Sequence, residues 1–244
     1  MYQLPELFAH HPMTFFIAET ATTSAAGHSA MLLTIVGSFI GAMLSLLTSI
    51  YIEYQRRPKL SISIEEPPCN SVYPPGRPAR KAKFLRVVLR NNPMPKWLKW
   101  LGRETATQCS GQIEFCHLDD GVALFARKMP IRWSNSDEPI SMQSGADGQP
   151  RKLFDLTKYR EGFRQDCHPG TPELIDIAAR FDEEIECYGW STEQYLPDKG
   201  WRNPDWKIDR GRYRVKVTVT SSGQSLSAEF NLENTANLAD FRLI

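Results

Sequence analysis

The chain has 244 residues, 41% hydrophobic and 23% charged, which leaves room for one anchored domain or two small ones. Its formal charge is +1, but that total conceals a sharp asymmetry. Residues 1–52 contain no Lys or Arg, residues 53–103 set twelve Lys and Arg against three Glu for a net of +9, and residues 104–244 are acidic at −6. The five cysteines, Cys69, Cys109, Cys116, Cys167 and Cys187, are odd in number and irregularly spaced. That excludes a simple secreted disulfide framework and favours reduced thiols in a cytosolic compartment.

Residues 1–29 are polar to mildly apolar and are expected to form an outward-facing N-terminal tail. Met13 to Ala18 is too short to cross a bilayer, but Phe15 and Phe16 could rest in the outer interface; a loosely ordered tail is the alternative. From Ala30 to Ile52 no charged residue occurs over 23 positions. As a helix, such a stretch is roughly 34 Å long at about 1.5 Å per residue, enough to cross a hydrocarbon core of about 30 Å. A buried helix of a soluble protein seldom runs six turns without a charge, so residues 30–54 are assigned as a single transmembrane helix. A signal peptide is not expected: the apolar stretch is too long, no positive n-region precedes it and no small-residue cleavage pattern follows it.

Within this stretch Gly37 and Gly41 are four apart, and Ser45 continues the same face. Small residues at that spacing let helix backbones approach closely, which predicts a homo-oligomer or a membrane-protein partner. Tyr51 and Tyr54 fall where an aromatic belt belongs. Arg56 and Arg57 follow, and Pro58 ends the helix. The basic block places the C-terminal side in the cytosol and the N-terminus outside, with the lipid bilayer itself as a partner.

After Pro58 the pattern changes to period two, and residues 55–244 read as a cytosolic β domain. Leu60, Ile62 and Ile64 alternate with serines. Residues 66–83 hold five prolines and are expected to be a loop. Strands are predicted at 84–90, 109–118 and 124–133, the last bent at Pro130, and residues 134–170 look like a long excursion. Leu174–Phe181 fits a helical face and also alternates; the strand is favoured because its neighbours are strands. Another is predicted over 184–188. Tyr213 to Val219 and Leu226 to Leu232 form the clearest pair, joined at Ser222-Gly223 by a hairpin turn. The strand count and terminal hairpin resemble an immunoglobulin-like domain. That resemblance implies an antiparallel β-sandwich, here with two long insertions, and no activity by itself.

No catalytic site stands out. Cys116-His117 and Cys167-His168 pair zinc-ligand types, but they lack the spacing of a structural site. Adjacent strand residues also point to opposite faces, so no metal and no cofactor are expected. Neither a Cys nucleophile with a His base nor an acylating Ser has a local motif, and Gly145-Ala146-Asp147-Gly148 lacks the Lys-Ser/Thr of a phosphate loop. The acidic run Asp182, Glu183, Glu184 and Glu186 reads as a solvated face. Basic residues 77–103 with Trp97 and Trp100 could meet nucleic acid. Their place just after the span favours lipid, so no nucleic-acid partner is expected.

Two aromatic stretches are therefore the candidate sites. Lys96 to Leu101, after Pro95, reads as an interfacial helix, with Trp97 and Trp100 at the membrane unless they pack on the β domain. Trp190, Tyr195, Trp201 and Trp206, with Arg202, lie in a loop-like segment suited to binding a partner or ligand. The alternative is that these rings fold back and cap the domain. The GxxxG face yields a direct prediction: Gly37→Leu and Gly41→Leu should lower the yield of cross-linked oligomer in detergent or lipid. An unchanged yield in both variants excludes that face as the contact.

Overall fold

In the computed structural model the described residues are 24–73, 80–144, 150–182, 184–196, 202–221 and 223–244. The chain is mainly β, with 44% of it in antiparallel strands and one N-terminal apolar helix. It divides into two compact units, Met1–Tyr51 and Ile52–Ile244. The N-terminal tail before Ser24, the Gly145–Gly148 segment, Glu183 and Trp201 lie outside the described residues.

Helix α1 spans Ser24–Arg56, longer at its start than the charge-free stretch. Its segment Met31–Arg56 has a mean hydropathy of 2.0 and none of its apolar core is buried within the protein. Residues 31–51 are all exposed. The hydroxyls of Thr48 and Ser49 bond back to the carbonyls of Leu44 and Ser45, at 2.7 and 3.0 Å. These polar groups therefore need no outside partner in an apolar environment. The helix has membrane-spanning length and is consistent with an anchor.

The second unit opens with β1 (Leu60–Ile64), β2 (Cys69–Tyr73) and β3 (Arg80–Asn91). There follow β4 (Ala106–His117), β5 (Met129–Pro130), β6 (Arg132–Trp133), β7 (Ile140–Ser144) and β8 (Pro150–Phe154). After α2 (Leu156–Glu161) come β9 (Gln165–Cys167), β10 (Pro172–Phe181), β11 (Cys187–Gly189) and β12 (Lys207–Ile208). The chain closes with β13 (Gly211–Ser221), β14 (Gln224–Asn234) and β15 (Arg242–Leu243).

One sheet runs β1-β3-β10-β11-β12, with β2 also on β3 and β6 also on β10; the other runs β15-β14-β13-β4-β5, with β9 on β4. Val87, Leu89, Ile175 and Ile177 of the first sheet and Ile113, Phe115, Val215 and Val217 of the second belong to one buried cluster. The two sheets thus share a core. A smaller cluster of Ala82, Ala179, Phe181, Trp190 and Tyr195 forms a second one.

Several sequence expectations change here. The proline-rich loop contains a strand: residues 69–73 pair with 80–84, so β3 begins at Arg80 rather than Phe84. The bent strand at Pro130 is two short strands in different sheets. Met129 pairs with Ile113, while Trp133 pairs with Ile175. The chain crosses between sheets at buried Ile131, whose N–H bonds to the carbonyl of Gly111. Gly111 is required at that crossing, because a Cβ there would strike the Thr218 carbonyl oxygen. The excursion after residue 134 holds the β7–β8 hairpin, α2 and β9.

β10 is a strand, and its ambiguity has a physical cause. It is central in its sheet and buried without interruption from Ile175 to Phe181, so neither face is polar. Asp176, the one acid between Ile175 and Phe181, is neutralised within the sheet. Arg86 Nε bonds to Asp176 at 2.7 Å, Arg132 Nε lies 3.5 Å away and the Ser134 hydroxyl donates at 2.7 Å. The β13–β14 hairpin follows its alternation closely: Tyr213, Val215, Val217 and Val219 are buried, with Arg214 and Lys216 exposed. Gly223 supplies the positive φ of the turn, at 80°.

Fully buried Asn91 ties three segments together. Its Oδ1 accepts from the Lys59 N–H at 3.1 Å, and its Nδ2 donates to the carbonyls of Glu104 and Cys167 at 2.8 and 3.2 Å. Asn91→Ala would leave these groups without their partner, so a loss of about 2–4 kcal/mol is expected. Denaturant unfolding of the variant measures it; a loss well below about 1 kcal/mol would mean that water replaces the carboxamide.

Candidate functional site

The segment from Trp190 to Trp206 forms two short 3-10 turns, Thr192–Tyr195 and Pro204–Trp206, each started by a side-chain cap. Ser191 accepts from the Glu193 N–H and Asn203 from the Asp205 N–H, as expected for Ser and Asn at turn starts. Gln194 is fully buried and closes the segment on itself: its Nε2 donates to the Gly189 carbonyl and its Oε1 accepts from the Asn203 N–H.

That closure turns the rings inward. Trp190, Tyr195 and Trp206 are all buried. Trp206 meets Phe125 edge-on at 5.0 Å, and its indole N–H donates to Glu193 at 2.8 Å. Arg127 lies over the same ring at 4.5 Å and grips the Glu193 carboxylate through both terminal nitrogens, at 2.8 Å each. Trp190 meets Phe84 edge-on at 5.2 Å. The Tyr195 hydroxyl donates to Glu138, with Arg132 over its ring at 4.6 Å. Arg202 is occupied as well, lying over Phe181 at 4.1 Å and pairing with Glu184 at 2.7 Å. Trp190, Tyr195, Trp206 and Arg202 thus all contact groups of the domain itself. The sequence raised capping as an alternative but did not show Gln194 and Glu193 as the closing residues, because they act across gaps that only the fold closes.

The acidic run is also used internally. Besides Glu184 with Arg202, Glu186 pairs with Lys207 at 2.9 Å. Lys207 holds the Glu186 carboxyl below the usual carboxylate range.

Cys109, Cys116, Cys167 and Cys187 are unpaired thiols, and all but Cys116 are buried. Burial raises the pKa of all three, Cys167 to about 11. Thiols held protonated in this way are poor nucleophiles and poor metal ligands. His117 and His168, beside Cys116 and Cys167 in sequence, are exposed. His117 stacks near Tyr213 at 5.3 Å, and His168 Nδ1 meets the Thr105 hydroxyl at 3.1 Å. Among the described residues no group of three or more His, Cys, Asp or Glu could hold a metal ion.

The other aromatic stretch behaves differently. Lys96–Leu101 is a 3-10 helix rather than the α-helical interfacial segment expected. Leu98 is buried, whereas Trp97 and Trp100 are 71% and 76% exposed. The residues after it are bound to the end of α1 that belongs to this unit. Arg103 Nη1 donates to the carbonyls of Arg57 and Gln55 at 2.7 and 3.2 Å, and the Glu104 N–H donates to the Arg56 carbonyl at 2.8 Å. Arg56 and Glu104 also approach as an ion pair at 3.8 Å. Sequence reasoning missed Arg103 and Asn91 here, since each acts on residues more than thirty positions away. Tyr51 and Tyr54 are exposed on α1, and a Cβ at Gly37 or Gly41 would meet nothing within 4 Å.

A cleft of about 550 Å³ opens beside β3 and β15, lined by Glu65, Glu66, Lys83, Arg86 and Arg242 among others. Lys83 Nζ donates to the carbonyls of Leu238 and Ala239, and burial lowers its pKa.

No family model matches the chain, and no curated protein matches it. Among solved structures it is similar to a family 123 glycoside hydrolase from Clostridium perfringens, at 8% identity and a TM-score of 0.32. The match covers 74% of this chain and 28% of that one, so the chain spans little more than a quarter of that protein. A likeness at that level carries no argument about fold or chemistry.

The buried indole gives a graded test. Trp206→Phe keeps much of the packing but removes the donor to Glu193, and about 1–3 kcal/mol of stability should be lost. Trp206→Ala should cost about 3–5 kcal/mol. Thermal or urea unfolding compares them; equal stability of all three proteins would show that this ring does not support the fold.

Proposed function

We propose that this chain is a single-pass membrane protein whose β domain is a non-catalytic binding or sensor module on the cytosolic side. The observation that carries the proposal is the exposure of α1. Residues 31–51 carry Leu, Ile, Val, Phe and Met side chains that are all exposed. The β domain, meanwhile, completes its core from its own strands. An apolar surface of that extent is matched by lipid or by other membrane helices.

The orientation rests on charge. The absence of Lys and Arg before residue 53 and the +9 block that follows support an N-terminus outside and a β domain in the cytosol. Four unpaired thiols accord with a reducing compartment.

An immunoglobulin-like sandwich is the finer description of the domain. It is supported by the two sheets around one core and by the Tyr213 hydroxyl, which donates to the Asp209 carbonyl at 3.1 Å. A tyrosine at a strand start that bonds a few residues upstream is a recurrent corner of such domains. Self-association runs through Gly37, Gly41 and Ser45, where open space beside the glycines admits a second helix. A ligand would enter the cleft at Lys83, Arg86 and Arg242, whose size and mainly apolar lining with a few charged groups suit a small molecule.

Alkaline carbonate extraction and protease protection test this reading together. The full chain should stay in the membrane pellet, and its β domain should resist protease added outside sealed cells. Release into the supernatant refutes the anchor, and external cleavage of the domain refutes the orientation.

A further inference from the structure

The 3-10 helix Lys96–Leu101 sorts its six side chains by the geometry of three residues per turn. Positions three apart eclipse, so KWLKWL separates into three stripes. Leu98 and Leu101 form the inward stripe, one buried and the other partly so. Trp97 with Trp100 and Lys96 with Lys99 form two outward stripes, all exposed. Trp133, Trp190 and Trp206 of the same domain are buried. Among its described residues the domain thus hides three tryptophans and offers two, side by side, next to two lysines.

This outward turn has a fixed place in the chain. Arg103 and Glu104, directly after it, are hydrogen-bonded to Gln55, Arg56 and Arg57. Those residues follow Ile52, where the uncharged stretch ends. At such an end the chain meets the head-group region, with Tyr, Trp, Lys and Arg as the usual anchors. Indole rings favour that boundary, where one edge is apolar and the other wet. Ammonium groups beside them favour phosphate-bearing anionic lipid.

We propose that Lys96–Leu101 is a second membrane contact. Trp97 and Trp100 enter the boundary between head groups and acyl chains, and Lys96 and Lys99 lie against the phosphates of an anionic leaflet. Arg103 and Glu104 hold the turn to residues 55–57, and Leu98 roots it in the domain. This contact rests on the anchoring proposed above and adds to it: the domain is held at the lipid surface at a second point rather than tethered by one.

The test uses the full chain reconstituted into vesicles of phosphatidylcholine and phosphatidylglycerol, with and without brominated acyl chains. Flotation with the vesicles reports the anchor, and quenching of tryptophan fluorescence by bromine reports the turn. No tryptophan lies within the apolar stretch, so the span itself contributes no signal. The wild type should float and be quenched. A Trp97→Phe, Trp100→Phe variant should float equally and lose most of the quenching. A Lys96→Glu, Lys99→Glu variant, altered only at exposed side chains, should float and show weaker quenching in the anionic vesicles than the wild type. A floating wild type with no quenching, or quenching unchanged in the tryptophan variant, overturns the second contact and leaves the anchor standing. Failure to float overturns both.

Discussion

The carboxamide of Asn91 has no access to water and three backbone groups to answer. It accepts from Lys59, a few residues beyond α1, and donates to Glu104 and to Cys167. Through it the entry of the chain into the β domain, the segment after the exposed tryptophans and strand β9 share one buried amide. Such a site tolerates little substitution, because each lost bond leaves a desolvated donor or acceptor behind. Arg103 extends the connection by bonding the carbonyls of residues 55 and 57. The end of α1 that belongs to this unit is therefore held by hydrogen bonds, and not merely by chain continuity.

Charge is handled in three ways in the same domain. Asp176 lies buried in the centre of a sheet, with Arg86 and Arg132 on either side. Removal of one partner from such a cluster is far costlier than replacement of the whole. At the surface, Lys207 with Glu186 and Lys216 with Glu229 are solvated pairs that contribute little. Arg180 is a third case: buried, it is satisfied by the carbonyls of Glu184, Thr235 and Ala236 and the side chain of Asn234. Burial alone lowers its pKa, yet a guanidinium stays charged at any physiological pH. These arrangements stitch the strands together.

The aromatic residues illustrate how far local patterns carry. The stretch around Trp190 to Trp206 and the stretch around Trp97 and Trp100 look alike as sequence: tryptophans among Pro, Lys, Arg and turn residues. In the first, Gln194 closes the segment and Glu193 receives the Trp206 indole, so the rings enter the domain. In the second, the three-residue repeat assigns the inward stripe to Leu98 and Leu101, and the tryptophans stay outside. The sorting depends on which neighbour reaches each ring, and those neighbours are remote in sequence or set by a helix type that composition does not reveal.

From the sequence alone came the apolar helix, the mainly antiparallel β character and the β13–β14 hairpin with its turn at Gly223. Each rests on a short-range rule: an uncharged run long enough for a bilayer, alternation of buried and exposed side chains, a backbone position that needs positive φ. Tertiary structure decided what those rules do not reach. It placed β10 centrally with both faces buried, so that its pattern fitted a strand and a helix alike. It turned one predicted strand into two across Ile131, because the chain there changes sheets. It buried Trp190, Tyr195 and Trp206 and left Trp97 and Trp100 out. The physical reason is common to all three: burial is a property of what surrounds a residue, and the surroundings are supplied by strands that meet only when the chain has folded.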